Sequence, residues 1–180
     1  MKTPFALAAL CALSACVSVL PEQKAPEALF RFGMIEERYA LEASVSVREP
    51  EASRVFAGRL IAAEGEDGGL RYLNGVQWTD NATRMLQLAL IDSLGGAGGD
   101  VAYASETGAP ADFELAWRIS DFTLIGDKAR CRLEATLMSG RGRSVVAQTD
   151  ILTDAVIVDD SNASRAKALT DAGLACVSEV

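Results

Sequence analysis

The stretch that decides the fold is Asp112-Phe113-Glu114-Leu115-Ala116-Trp117-Arg118-Ile119-Ser120. Apolar side chains recur there at every second position, at Phe113, Leu115, Trp117 and Ile119, and polar ones lie between them, at Asp112, Glu114, Arg118 and Ser120. A period of two is typical of a β-strand with one buried face. The pattern therefore predicts a strand that covers one side of a core and turns its other side to water.

The same alternation continues further along the chain. One face of a second strand carries Ala129, Cys131, Leu133, Ala135 and Leu137, and the other carries Arg130, Arg132 and Glu134. A glycine- and arginine-rich turn at residues 139–143 then leads into residues 144–152, which we expect to pair with it as a third strand.

Three further strands are predicted in the first half. Residues 39–47 alternate, with Tyr39, Leu41, Ala43, Val45 and Val47 on one face, and Pro50 ends the pattern. Residues 54–63 and 70–73 flank an acidic, glycine-rich turn at residues 64–69, which indicates a hairpin whose glycines supply positive φ angles.

Two helices complete the pattern. The first has an apolar stripe, with Thr79 or Asp80 as N-cap and a left-handed C-cap expected at Gly95 and Gly96; the stripe consists of Ala82, Met85, Leu86, Ala89, Leu90 and Ser93. The second follows Asp160 or Ser161 and places Ala166, Leu169, Ala172, Gly173 and Cys176 on one face. The order βββα-βββα predicts an α+β fold, an antiparallel sheet with both helices packed on one face.

The N-terminus has the layout of a bacterial lipoprotein signal. Lys2 precedes an apolar run, and Leu13-Ser14-Ala15 leads directly into Cys16. We expect cleavage before Cys16, which would carry N-acyl and S-diacylglycerol lipid. A plain secretory signal is the alternative, and the run is far shorter than the ~20 residues of a membrane span. Residues 1–15 are thus a predicted signal peptide, residues 16–37 a flexible tether and residues 38–180 the folded domain.

Composition argues against several functions. The chain has 17 basic and 25 acidic residues, and loss of residues 1–15 removes only Lys2, so the mature charge is −9. That charge repels nucleic acid. The chain has no histidine, which excludes histidine-dependent triads and the commonest metal ligand. Asp80, Asp92 and Asp121 have no paired spacing, so we expect no enzyme, no metal and no cofactor.

Four side chains remain as candidate sites. Cys131 and Cys176 lie on apolar faces of a strand and a helix, where they would form a disulfide or remain two buried thiols. Tyr72 and Trp78 flank the hairpin exit, either as aromatic anchors for a partner or as core residues.

The acidic turn at residues 64–69 and the pair Arg141 and Arg143 are interpreted as solvated turns. The glycine run at residues 95–99 is interpreted as a loop, because it lacks a phosphate-binding motif.

Short segments in a characteristic order resemble the ABC-type transport auxiliary lipoprotein family. They are Cys16, Arg38-Tyr39-Ala40-Leu41, the run from Leu70 to Asp80, Leu90-Ile91-Asp92-Ser93-Leu94, Asp112-Phe113-Glu114-Leu115 and Ile119-Ser120-Asp121-Phe122. The resemblance covers nearly the whole chain, although the last helix is short for the family.

The resemblance implies a non-enzymatic subunit of a lipid transport system that contains an ABC transporter and an MCE-domain protein. It also implies a lipid-anchored periplasmic location and, since Val17 rather than aspartate follows Cys16, the outer membrane rather than the inner one. An alternative is a periplasmic carrier that holds phospholipid acyl chains beneath the first helix, where Ala82 and Ala89 leave room.

Overall fold

The computed structural model describes residues 25–33, 35, 38–95 and 102–180. The strands in this part are β1 (Ala28–Phe30), β2 (Val45–Val47), β3 (Glu51–Ala52), β4 (Leu60–Glu64), β5 (Leu70–Trp78), β6 (Ala102–Ala104), β7 (Phe113–Ile125), β8 (Lys128–Ser139) and β9 (Val145–Val156). The α-helices are α1 (Arg54–Ala57), α2 (Ala82–Leu94) and α3 (Asn162–Ser178), and a 3-10 turn at Ser105–Thr107 follows β6. The predicted signal peptide lies outside the described residues.

The strand β7 is the centre of a single curled sheet. One side of β7 pairs antiparallel with β8 along almost its full length, and β8 pairs antiparallel with β9. The other side pairs in turn with β2, β3 and β4. Beyond them, β5 pairs with β4, β1 with β5, and β6 with β2. The alternation predicted for β7 is confirmed, since Leu115, Trp117 and Ile119 are buried.

The α+β class is confirmed, but the prediction of an antiparallel sheet is wrong, because the sheet is mixed. β2, β3 and β4 all run parallel to β7, and β1 runs parallel to β5. Parallel strands need a long connection. The chain between β4 and β7 supplies one, since it contains β5, α2 and β6.

The first predicted strand is largely wrong. Of residues 39–47, only Val45–Val47 form a strand. The backbone N–H of Tyr39 donates instead to the carbonyl of Ser93, 2.8 Å away, which draws this segment toward the end of α2. The predicted strand at residues 54–63 begins as the short helix α1, but the hairpin is confirmed in β4 and β5, with Gly68 at φ 75°.

Both long helices form where they were predicted, although one is capped differently. α2 has Asn81 as its N-cap, and Asp80 accepts a hydrogen bond from the Asn81 backbone. Gly95 ends α2 with φ −77°, so the expected left-handed cap is not formed there, and Gly96 lies outside the described residues. Ser161 caps α3 through its hydroxyl, which accepts from the Ser164 backbone N–H at 3.1 Å.

α2 and α3 pack against each other and contribute to one core with the sheet. Their contact is close at Gly173, where a Cβ would lie 3.1 Å from the Phe122 ring and 3.4 Å from Leu86. The predicted apolar face of α3 is confirmed, since Ala166, Leu169, Ala172, Gly173 and Cys176 are all buried.

The predicted tether is wrong over part of its second half. Ala28–Phe30 form β1 at the edge of the sheet, Phe32 packs against the core, and Ile35 is buried within it. Ala28, Phe30 and Phe32 recur at every second position, a short alternation that the nearby charges and prolines obscure in the sequence.

A β-bulge in β5 determines which side chains face the core. The pairing of β4 and β5 shifts between Leu60 and Ala62, and Gly75 within β5 has φ 75°. Beyond the bulge, Val76 and Trp78 are buried, whereas Leu70 and Tyr72 before it are exposed. All four are even-numbered residues of one strand, so a regular strand would place them on one face. The bulge therefore reverses the two faces of β5.

The geometry of the bulge predicts that replacing Gly75 destabilises the fold. An alanine at Gly75 must adopt a left-handed backbone and place its Cβ 3.0 Å from the Glu27 carboxyl group. We expect Gly75→Ala to lower the free energy of unfolding by about 1–2 kcal/mol, measured by urea denaturation.

Gly58→Ala is the matched control. Gly58 has φ −88°, and a Cβ at this position would have no atom within 4 Å. We expect this control to leave stability unchanged or to raise it slightly. Equal losses in the two variants would show that the bulge geometry does not require glycine.

Candidate functional site

An exposed apolar surface lies on the outer side of β1, β4 and β5. It consists of Leu29, Leu60, Leu70 and Tyr72, each between 39 and 51% exposed, and we call it the hairpin patch. Leu29 and Leu60 both lie opposite Gln77, so they form a row across the three strands. Tyr72 and Leu70 lie two positions apart on β5 and therefore share a face.

A depression opens within this surface. It has a volume of about 550 Å³ and is lined by residues 25–27, by Leu60 and by residues 72–77. Tyr72 lines one side of the depression, and residues 25–27, which lead into β1, line the other. The backbone N–H of Glu27 donates to the Gly75 carbonyl at 2.6 Å, which fixes that entering chain against the bulge.

Trp78 lies on the opposite face of β5 from Tyr72. Its side chain is 1% exposed and packs between Phe32, edge to face at 5.4 Å, and Phe122, stacked at 6.0 Å. Aromatic contacts of this kind stabilise a core. Of the two interpretations of Trp78, this geometry favours packing, because the buried ring offers no surface to a partner. Tyr72 is 42% exposed and keeps a surface for contact.

An apolar pocket of about 290 Å³ lies where α2 and α3 end. Leu90 and Leu94 of α2 line one wall, Leu115 and Leu137 of the sheet form the floor, and Glu179 and Val180 border it beyond α3. α3 ends at Ser178, so it does not extend over the start of β9, where residues 147–149 are exposed. The short last helix thus leaves part of the inner sheet surface uncovered.

This pocket is not the groove expected beneath α2. The two small residues that were expected to leave room, Ala82 and Ala89, are 0 and 7% exposed and are packed in the core. Close helix packing fills the space that small side chains leave.

Cys131 and Cys176 come together in the structure. Both are fully buried and free, and they lie on β8 and on α3. The disulfide between them stays a prediction. Cys16, the predicted lipidation site, lies outside the described residues.

The acidic groups are engaged in local structure. At the hairpin tip Arg71 binds Asp67 through two hydrogen bonds of 2.7 and 2.8 Å and, with the Gly69 backbone, lowers the pKa of Asp67 to about 2. Ser44 donates a hydrogen bond to Asp112 and lowers the pKa of that carboxyl group.

In the described ranges, histidine, cysteine, aspartate and glutamate side chains form no group of three or more that could hold a metal ion.

No helix within the described residues has the length and hydropathy needed to cross a membrane. Two pairs of charged side chains join the neighbouring strands β7, β8 and β9. Arg118 binds Glu134 at 2.9 Å and Arg130 binds Asp154 at 3.0 Å.

Comparison with known families identifies the fold's relatives. The family model described as ABC-type transport auxiliary lipoprotein component matches residues 35–179, most of the chain. The chain belongs to that family. The resemblance drawn from the sequence is thereby confirmed, and a transport auxiliary lipoprotein is the coarse function that the match supports.

Two crystal structures share the fold of this auxiliary lipoprotein. A Xanthomonas campestris protein of the DUF330 family model is 20% identical with a TM-score of 0.65, over 87% of this chain and 90% of its own. A second, described as an uncharacterized protein, is 11% identical with a TM-score of 0.67, over 86% of this chain and 95% of its own. At such identities the likeness shows the fold alone. No curated protein sequence matches the chain.

Sequence reasoning missed three features of these surfaces. Leu29 and Leu60 were not recognised as neighbours of Tyr72, because β1 was assigned to the tether. The reversal of β5 was missed, although a glycine inside a strand pattern is a signal for a bulge. The pocket at the helix ends follows from the length of α3 relative to β9, which periodicity alone does not give.

Proposed function

We propose that this protein is a non-enzymatic, lipid-anchored subunit that docks an MCE-domain protein of an ABC-type lipid transport system, at the periplasmic side of the outer membrane. The family match over residues 35–179 carries the proposal, since it names a transport auxiliary lipoprotein. The lipoprotein signal that ends at Cys16, followed by Val17, supports the anchor and the membrane.

The hairpin patch is the docking surface we favour. Protein interfaces are enriched in aromatic residues near their centre, and Tyr72 lies among three exposed leucines. These side chains project from paired strands rather than from a loop, so they are held in place before a partner binds. The buried Trp78 cluster lies on the other face of the same strand and supports it.

The anchor and the patch lie close together along the chain. Eleven residues separate Cys16 from Ala28, where β1 begins, so even fully extended they span at most about 40 Å. Leu29 within β1 is itself part of the patch. A lipid on Cys16 therefore keeps the patch near the membrane, where a transport component must deliver or collect lipid.

The anchor must be supplied by acyl chains. A mature charge of −9 opposes binding to an anionic membrane surface, so electrostatics do not hold the protein there. Each buried methylene contributes about 0.8 kcal/mol, and two or more acyl chains give a stable attachment.

A second candidate function is a lipid carrier, and the apolar pocket at the helix ends favours it. Its lining is dominated by leucine and alanine side chains, and ligand pockets for apolar molecules are of this type. Its volume of about 290 Å³ suits part of one acyl chain rather than a whole phospholipid.

The docking proposal predicts that Tyr72→Ala weakens binding to the MCE-domain protein of the same organism. We expect at least a tenfold rise in Kd with little change in Tm, because the side chain is half exposed and makes no core contact. Leu88→Ala is the matched control, since Leu88 on α2 is also 42% exposed. A Tm loss in Tyr72→Ala without a binding loss would assign Tyr72 to packing.

The anchor predicts that Cys16→Ser releases the protein from membranes. Serine lacks the thiol that accepts diacylglycerol, so metabolic labelling with palmitate should disappear and fractionation should recover uncleaved or soluble protein. Wild-type protein found free in solution, without acyl mass on Cys16, would contradict the proposal.

The carrier function predicts bound phospholipid in native mass spectra of protein released in mild detergent. Ala147→Trp places an indole in the mouth of the pocket and should remove that lipid, whereas Val146→Trp on the neighbouring position should not, because Val146 does not line the pocket. Wild-type protein without non-covalent lipid would leave docking as the function.

A further inference from the structure

Two cysteines that are 45 positions apart meet in the core. The thiol of Cys176 in α3 donates a hydrogen bond of 3.2 Å to the backbone carbonyl of Cys131 in β8. Both residues have no exposed surface. The hydroxyl of Thr153, which lies opposite Cys131 on β9, donates to the Ala172 carbonyl one turn before Cys176 at 2.7 Å.

The helix approaches the sheet closely at this point, and the reason is local. Gly173 precedes Cys176 by three positions on the same face of α3, and a Cβ there would lie 3.1 Å from Phe122. Phe122 on β7 is the register partner of Cys131 on β8. The absence of a side chain at Gly173 thus lets α3 come near the strands that carry Cys131. A disulfide needs such an approach, since its Cα atoms lie about 4.4–6.8 Å apart.

We propose that Cys131 and Cys176 form a structural disulfide in the exported protein, joining the last helix to the central sheet. The bridge rests on the proposed function in one respect, since it requires the oxidising periplasm. The two thiols lose two protons and two electrons as one S–S bond forms. The electrons pass to a disulfide of a thiol–disulfide oxidoreductase, which is reduced to two thiols through a mixed-disulfide intermediate.

Burial determines when the bridge forms. In the folded domain neither sulfur is exposed, so an oxidoreductase has no access to them. The neighbouring Cys176 and burial also raise the pKa of the Cys131 thiol, which disfavours a thiolate at Cys131. Oxidation therefore takes place during folding, before α3 has packed on the sheet. Once α3 is in place, the same burial protects the bond from reductants.

The bridge constrains β9 and α3, which both follow Cys131 in the chain. The closed loop contains β9, which pairs with β8 along one edge, and nearly all of α3. Elements at a sheet edge and a chain end open locally most easily. Cys176 also lies just before Glu179 and Val180, so the bridge holds the end of α3 beside the apolar pocket.

Peptide mapping of the full chain tests the proposal. Protein from the membrane fraction is denatured without reductant, alkylated and digested. We expect a linked Cys131–Cys176 peptide, lighter by two hydrogen atoms than the two free peptides, and no alkylation at either residue. Alkylation at both residues in protein that fractionation places in the periplasm overturns the bridge. Cys131→Ala and Cys176→Ala serve as controls, because each leaves one cysteine that must become alkylated.

A refolding experiment separates failure of the bridge from failure of export. Purified full chain is unfolded and reduced, one portion is refolded in a glutathione redox buffer and another in excess reductant, and the thermal unfolding of each portion is recorded. We expect the bridge to form, and its reduction to lower Tm by about 10 °C. The Cys131→Ala/Cys176→Ala double variant should show no response to reductant.

The two possible failures have different signatures. Refolded protein in which Cys131 and Cys176 both remain free thiols overturns the bridge wherever the protein resides. Protein that bridges on refolding but is found with free thiols in the cytosol overturns the export, and with it the proposed function, while the geometry of the pair stands.

Discussion

The fold depends on the two-sided backbone pairing of β7. Its thirteen residues pair with β8 on one side, and on the other they support β2, β3 and β4, none of which is long enough to be stable alone. Phe122 from this strand contacts Trp78, Phe32 and the helix α3 at Gly173. Through Phe122, the aromatic cluster thus connects β5 and the chain that follows β1 to the central sheet and to α3.

The sequence predicted those parts of the fold in which the period of the side chains stays regular. β7, β8, α2 and α3 were found close to their actual positions because each keeps its period over at least nine residues, and β9 was found as the strand that follows the turn after β8. The side-chain pattern does not determine strand direction, and the prediction of a wholly antiparallel sheet was therefore wrong. Alternation is the same in parallel and antiparallel strands, and the direction of β2, β3 and β4 is set by the distant pairing with β7.

The candidate site was predicted only in part, and the reason is the bulge at Gly75. Tyr72 and Trp78 are six positions apart, an even spacing that places both on one face of a regular strand. Between the pairs Leu60–Gln77 and Ala62–Tyr72, β5 has three residues more than β4, and this odd number makes Tyr72 a surface residue and Trp78 a core residue. β7 contains a comparable irregularity, where the pairing with β8 shifts between Ile119 and Asp121, and beyond it Phe122 turns inward. Both register shifts arise from the pairing between two strands, so the side-chain period of a single strand does not reveal them.

The bulge also explains how a small domain can present an apolar surface on paired strands. Without the reversal, Leu70 and Tyr72 would lie on the same face as Trp78, and the outer face of β5 would carry Arg71, Leu73, Gly75 and Gln77. With it, the strand places Trp78 inside, where it packs with Phe122, and Tyr72 outside, where it can meet another protein. Because the backbone N–H of Glu27 donates a hydrogen bond to the Gly75 carbonyl, the residue at which the strand reverses also positions the chain that enters β1. The chain that enters β1 and the exposed surface are therefore coupled at a single backbone position. Under the proposed function, this coupling would hold the docking surface close to the lipid anchor.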